Sequence, residues 1–165
     1  MELTHINEKN LPKMVDVGLK EITQRTAIAS GVIKMSQKAY ELGLSGEGKK
    51  GAIMQTAVIS AIMAAKNTSK SIAMAHQILI TSVDVDITPL KQLPGFKLKV
   101  VVKSQGQTGV EMEALHAVSV GLLNIYDMLK AVDKAMLISD IFLEQKNGGK
   151  SGDIYNDLAQ IKASK

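Results

Sequence analysis

The chain has 165 residues, 45% of them hydrophobic, and its 20 Lys and Arg against 16 Asp and Glu give a formal net charge of +4. That length suits one compact domain with its own core and is short for two. The absence of cysteine excludes disulfides, thiolate nucleophiles and sulfur-ligated metal sites, so any chemistry falls to oxygen and nitrogen groups.

With two Phe, three Tyr and no Trp, there are few rings on which bases could stack, which argues against a nucleic-acid platform. The mild basic excess fits a small phosphorylated ligand better. The uncharged run 51–65 contains Gln55, Thr56 and Ser60 and is too short to span a membrane, so it is expected to form a buried helix. The opening MELTHINEKN is charged and lacks the apolar stretch of a secretory signal, which makes a cytoplasmic location the expectation. Nine Met residues point to a core filled by flexible side chains, with Met54, Met63, Met112 and Met128 inside helices.

The first element in chain order is RTAIASGVIKM (25–35), partly β-branched and interrupted by Gly31, which predicts a bulged strand. Ser36 can cap a short helix over 37–42, ended by the glycines of GLSGEGKKG. Residues 52–66 are apolar almost all round, as expected of a helix packed on several sides. ILITSVDVDI and FKLKVVVK then alternate as strands joined by TPLKQLPG. Setting Asp86 across from Lys97, Asp84 across from Lys99, Ile87 across from Phe96 and Val85 across from Leu98 satisfies both faces of one hairpin.

A long helix is predicted over 108–134, TGVEMEALHAVSVGLLNIYDMLKAVDK, where Leu115, Val118, Leu122, Ile125, Leu129 and Val132 recur at spacings of three and four. Asp127, Lys130 and Lys134 should share a polar face of it. At 1.5 Å per residue, Glu113 and Asp127 lie roughly 20 Å apart along this helix, too far to grip one small molecule. If both ends carry chemistry, a site must borrow them from different chains. AMLISDIFLE (135–144) reads as a last strand, and GGKSG leads into a polar tail, 153–165, expected to be mobile. The order strand, helices, hairpin, long helix, strand predicts an α+β ferredoxin-like sandwich over 1–152, an antiparallel sheet with helices on one face.

Among candidate motifs, Gly149-Lys150-Ser151 does not complete a phosphate loop, because position 144 is Glu where that motif needs Gly. A glycine-rich loop can still meet phosphates through backbone N–H groups, which keeps Lys146 and Lys150 as anion-binding candidates beside the reading of a plain solvated loop. His76 sits among apolar neighbours at the start of a strand, where it is a structural histidine or a proton carrier. No pair of histidines has metal-site spacing. Asp127 and Lys130, three apart on a helix, read on spacing alone as an ordinary surface ion pair.

LTHINEKNLPKMVDV, KKGAIMQTAVISAIMAAKNTS, KSQGQTGVEMEALHAVSVGLLNIYDMLKAVDKAM and GGKSG together resemble the molybdenum cofactor biosynthesis protein C family, the cyclic pyranopterin monophosphate synthases, over about residues 3 to 152. The resemblance implies a ferredoxin-like fold assembled as a hexamer of three dimers, with sites at dimer interfaces. The implied reaction converts 3′,8-cyclo-7,8-dihydroguanosine 5′-triphosphate to cyclic pyranopterin monophosphate with loss of pyrophosphate. By the same resemblance Asp127 is the catalytic acid/base and Lys130 its partner. Met74, Ala75, His76, Met112 and Glu113 match substrate-binding segments, and Glu111 would position the guanine-derived ring. Lys50, Lys66, Lys146 and Lys150 would hold the triphosphate. No resident cofactor or metal is implied, beyond Mg2+ accompanying the triphosphate.

The chain departs from the family pattern in two places. Where the family reads Pro, any residue, Cys-His-Pro, this sequence has Ala73, Ala75, His76 and Gln77, so the histidine stays while the thiol and both prolines are gone. Asn67 replaces an arginine after Lys66. These changes leave two readings open, a synthase and a non-catalytic pterin- or nucleotide-binding oligomer of the same fold.

Overall fold

A computed structural model describes residues 6–46, 52–90, 92–149 and 152–164. The elements run β1 (Thr23–Lys34), α1 (Gln37–Ser45), α2 (Ile53–Lys66), α3 (Thr68–Ser71), β2 (Ile80–Pro89), β3 (Gly95–Gly106), α4 (Glu111–Leu129), β4 (Leu137–Asn147), β5 (Ile154–Tyr155) and α5 (Leu158–Ala163). The strands form one sheet in the order β2-β3-β1-β4-β5, antiparallel throughout. Helix α4 lies over β1, β3 and β4, and α2 packs beside it against β2. This is the α+β arrangement expected, with α2 and α4 on one face and the strand order of a ferredoxin-like sandwich.

Alternation builds the sheet side of the core. Ala27, Ala29 and Ile33 of β1 and Phe96, Leu98, Val100 and Val102 of β3 face the helices and are buried. From α4, Ala114, Ala117, Val118, Leu122, Ile125 and Leu129 meet them. Each of the larger side chains contributes about 1.5–3 kcal/mol by leaving water. Small residues set the spacing between the helices. A Cβ on Gly121 would stand 2.6 Å from Leu98 Cδ1 and 3.3 Å from Ala61 Cβ, so α4 can settle over β3 and α2 only with glycine there.

Several expectations are corrected. The hairpin register is displaced by two residues: Asp86 faces Lys99, Ile87 faces Leu98, Val85 faces Val100 and Asp84 faces Val101. A two-residue shift keeps every side chain on its face, so alternation alone does not distinguish the two registers. Gly31 is paired regularly with Leu98, and the irregularity sits opposite it, in β4, where Asp140 adopts φ 54. Glycine is needed at 31 for space, since a Cβ would lie 2.8 Å from Ile141 Cγ1 and Leu122 Cδ1.

Helix α2 is buried along Ile53, Ala57, Ala61, Ala64 and Ala65 only, and within a single chain Ile59 and Met63 are exposed. Met112 is exposed too, so the flexible core is confined among the four named methionines to Met54 and Met128. Helix α4 ends at Leu129, which leaves Val132 exposed and puts Lys134 in the following turn, off the helical face of Asp127 and Lys130. The Asp133 carboxylate accepts from Ala135 N–H and Ser36 N–H, and that favours a turn over further helix. The polar tail carries two elements the sequence did not suggest. β5 pairs with Gln145 and Lys146, and α5 approaches β4, with Lys162 on Asp140 at 2.7 Å. No helix among the described residues is long and apolar enough to cross a membrane.

On the sheet face away from the helices, Glu144 occupies the second irregularity of β4 and reaches across β1 to Lys97 Nζ at 2.8 Å and Lys99 Nζ at 2.9 Å. Partial burial pushes this carboxyl up, but hydrogen bonds from Lys97, Lys99 and Ser30 outweigh it and hold it at about 2, against an ordinary 4.5. The resulting stabilisation is therefore full above about pH 4.5 and is lost as the pH falls towards 2. Replacement of Glu144 by Gln is expected to cost on the order of 1 kcal/mol at neutral pH, because both lysines are partly solvated. Urea titrations at pH 7 and pH 2.5 should show a smaller acid-induced loss in the variant than in the wild type.

Candidate active site

The N-terminal end of α4 opens onto a cleft of about 330 Å³ lined by Val15, Val17, Lys20, Met74, Ala75, His76, Ile78, Thr108, Gly109, Glu111, Met112 and Glu113. Three distant stretches of chain converge here: the segment before β1, the turn before β2 and the first turn of α4. Glu111 and Glu113 both lie in that first turn, where carboxylates face the positive end of the helix dipole. Glu113 is only 3% exposed. Burial raises its pKa and Glu111 adds to the effect, against the lowering influence of a backbone N–H and of His76. His76 donates from Nε2–H to the Val15 carbonyl at 2.7 Å, which fixes the ring at the cleft wall.

Lys146 reaches this end of α4 from β4, with its Nζ 3.3 Å from Glu111 Oε1. Its backbone is held from both sides, by Ala27 of β1 and Ile154 of β5. An adjoining hollow of about 440 Å³ is lined by Lys20, Glu21, Thr23, Arg25 and Gly149, and Lys20 belongs to both. The buried Arg25 guanidinium donates to the carbonyls of Gly106 at 3.3 Å and Gln107 at 3.5 Å. Among the described residues no carboxylate is paired with it. A Cβ at Gly149, whose φ is +84, would collide with Arg25 Nη1, so glycine lets the loop close over the cation. Thr23 Oγ1 beside it is buried without a hydrogen-bond partner. A buried cation, an unsatisfied hydroxyl and a glycine loop together suit an oxyanion.

At the other end of α4, Lys130 Nζ sits 2.7 Å from Asp127 Oδ1, and both side chains are half exposed. The hydrogen bond and charge of Asp127 raise the Lys130 pKa and keep the ammonium protonated.

Comparison of the sequence with known proteins shows the family. The sequence model described as the MoaC family matches residues 14–149. The chain belongs to the MoaC family. It is 57% identical over 157 residues to the cyclic pyranopterin monophosphate synthase of Helicobacter hepaticus, covering 95% of this chain and 99% of that protein. It is likewise 57% identical over 153 residues to the protein of that name from Sulfurovum sp., covering 93% and 98%. The Helicobacter pylori (strain HPAG1) protein of the same name is 56% identical over 156 residues, covering 94% and 98%.

Within this MoaC chain, the structure gathers Met74, Ala75, His76, Glu111, Met112 and Glu113 around one cleft and brings Lys146 to its edge. It leaves Asp127 and Lys130 at the far end of α4, roughly 20 Å away by helical rise. Lys66 is exposed at the C-terminal end of α2 and lines a neighbouring groove that shares only Ile78 with the cleft. Lys50 and Lys150 lie outside the described residues. The missing prolines at 73 and 77 do not leave His76 without support, since Ala75 N–H donates to Ile72 O at 3.0 Å and the ring is tied to Val15.

Sequence reading passed over Arg25, Thr23 and Lys20. The signal for Arg25 was its parity, because a charged residue shares the inward register of Ala27 and Ala29. No set of three His, Asp or Glu residues placed to hold a metal occurs among the described residues.

The raised pKa of Glu113 has a thermodynamic consequence of definite sign. Its contribution to stability is fully present below about pH 4.5 and is lost as the pH rises through the folded-state value. The difference in unfolding free energy between Glu113→Gln and wild type should therefore become more favourable to the variant as pH rises. Urea denaturation at pH 4 and pH 7.5 measures it.

Proposed function

We propose that this chain is a cyclic pyranopterin monophosphate synthase, acting in molybdenum cofactor biosynthesis as a lyase. Its substrate is 3′,8-cyclo-7,8-dihydroguanosine 5′-triphosphate, and its products are cyclic pyranopterin monophosphate and pyrophosphate. One observation carries the reading: six residues from two separate family-matched segments line one cleft, in a chain 57% identical over almost its whole length to a protein of that name.

In this reading the guanine-derived ring lies against Met74, Ala75, His76 and Met112, with Glu111 orienting it. Glu113, kept protonated to a higher pH than an ordinary carboxyl, can donate as well as accept a hydrogen bond. The triphosphate meets Lys50, Lys66, Lys146 and Lys150, with Mg2+ entering as its counterion and no resident cofactor. Arg25 extends that cationic wall. Asp127 acts as acid/base, and Lys130, held charged by Asp127, stabilises or protonates the developing negative charge.

The helical distance between the two sets supports a site shared by two chains. The assembly in this reading is a hexamer of three dimers in the cytoplasm. Residues 1–152 form the catalytic domain and 153–165 a polar tail.

Lys130→Ala should lower turnover of the cyclised substrate by roughly 10²–10⁴-fold while the assembly keeps its size by gel filtration. Pterin fluorescence and pyrophosphate release report the chemistry together, and wild-type rates in the variant would sink the assignment. The altered segment around His76 favours one competing reading, a binding protein that no longer turns over. Tight substrate binding without product in the wild type, with turnover gained on combining Ala75→Cys with Gln77→Pro, would establish that reading instead.

A further inference from the structure

Helix α4 delivers Lys130 at its very end, where helices fray. Lys130 is the capping residue, and its N–H still bonds to Tyr126 O at 2.8 Å. Beyond it, Val132 N–H and Asp133 N–H both return to Leu129 O, at 2.8 and 3.1 Å, in a tightened last turn. No glycine follows to close the helix in the left-handed conformation, for the next residues are Ala131, Val132 and Asp133. Something else must hold this turn.

Asp133 is placed to do so. Its Oδ2 accepts from Ser36 N–H at 2.7 Å and its Oδ1 from Ala135 N–H at 2.8 Å. Ser36 caps α1, and the neighbouring Met35 N–H bonds to Pro94 O at 3.0 Å, so the first contact ties the turn to the sheet end of the fold. The second closes the chain on itself before β4. On the opposite side Tyr126 O–H donates to the Lys134 carbonyl at 3.0 Å.

We infer that Asp133 is a positioning residue for Lys130: by accepting from the Ser36 and Ala135 N–H groups together, it fixes the turn that keeps the Lys130 ammonium on Asp127. This rests on the reading of Lys130 as an active-site group, although the geometry it asserts is measurable without turnover. The same two N–H groups hold the Asp133 carboxyl below the usual range, so it remains an ionised, double acceptor through the neutral region. Among the described residues, the titratable groups that raise the Lys130 pKa are Asp127 and Tyr126 of its own helix. Loosening the turn weakens both influences.

The experiment compares wild type, Asp133→Ala and Asp133→Asn. Lysines are reductively methylated with a ¹³C label, the Lys130 resonance is assigned through Lys130→Arg, and its titration is followed by NMR. Unmethylated protein is assayed for kcat and KM on the cyclised dihydro-GTP, and thermal midpoints are recorded. In Asp133→Ala the Lys130 amine should titrate at lower pH than in wild type, kcat should fall by roughly tenfold or more, and KM should change little. Asp133→Asn keeps a single acceptor oxygen and should fall between, which also decides the matter if the alanine variant does not fold. An unmoved Lys130 titration overturns the inference, even where activity and thermal midpoint drop together, because that is the signature of a merely structural residue. Absence of turnover in the wild type would reject the proposed function, while the titration would still decide the role of Asp133.

Discussion

The close approach of α4 to β3 and α2 is the constraint on which the remaining structure depends. A methyl group at Gly121 would come within 2.6 Å of Leu98 Cδ1 and 3.3 Å of Ala61 Cβ, so it could enter only by displacing the Leu98 side chain. That contact sets the height of α4 above the sheet. From it follow the burial of Val118, Leu122, Ile125 and Leu129 and the placing of both helix termini relative to the strands. Interiors are too densely packed for such a helix to move without disturbing its neighbours, so its two ends are fixed by the middle. The polar residues of α4 are in this sense displayed by an apolar seam.

The same fold treats chemically similar carboxyls in opposite ways. Glu113 is buried at the cleft wall beside another acid, and its pKa is raised. Glu144 is also partly buried, yet two ammonium groups and a hydroxyl converge on it and the charged form wins. Burial alone raises both; the number of donors aimed at the carboxylate decides the outcome. Glu144 therefore acts as a brace across three strands on the outer face, whereas Glu113 has a backbone N–H and the influence of His76 to set against its burial. A carboxyl held in that condition is a common feature of functional sites and an uncommon feature of structural ones.

Much of the fold was legible in the sequence because the periods were clean. The alternation in β1 and β3, the three-and-four spacing in α4 and the turn residues before β3 led to the right elements in the right order. Failures occurred where period carries no information. A hairpin displaced by two residues preserves both faces, so alternation could not choose between Asp86 opposite Lys97 and the observed Asp86 opposite Lys99. The turn after α4 is held in part by the Asp133 carboxylate accepting from Ser36 N–H, far away in the chain, which no local pattern records. Helix α2 looked apolar all round because its large residues, Ile59 and Met63, turn outward in the single chain while its alanines turn inward. The cleft residues could be named from their resemblance to a family. Arg25 and Thr23 could not, since what marks them is three-dimensional: a buried guanidinium with no carboxylate partner among the described residues, beside a buried hydroxyl with no hydrogen-bond partner.

The two missing prolines, at positions 73 and 77, can be weighed in the same physical terms. Proline limits backbone freedom before folding, and its replacement leaves the segment to be ordered by contacts made afterwards. Here the contacts exist: a backbone turn from Ala75 to Ile72, and the bond from the His76 ring to Val15. The second of these depends on the chain that precedes β1, which also contributes Val15, Val17 and Lys20 to the cleft. The support for His76 therefore comes from contact with the irregular segment ahead of β1 and not from covalent stiffness in its own segment.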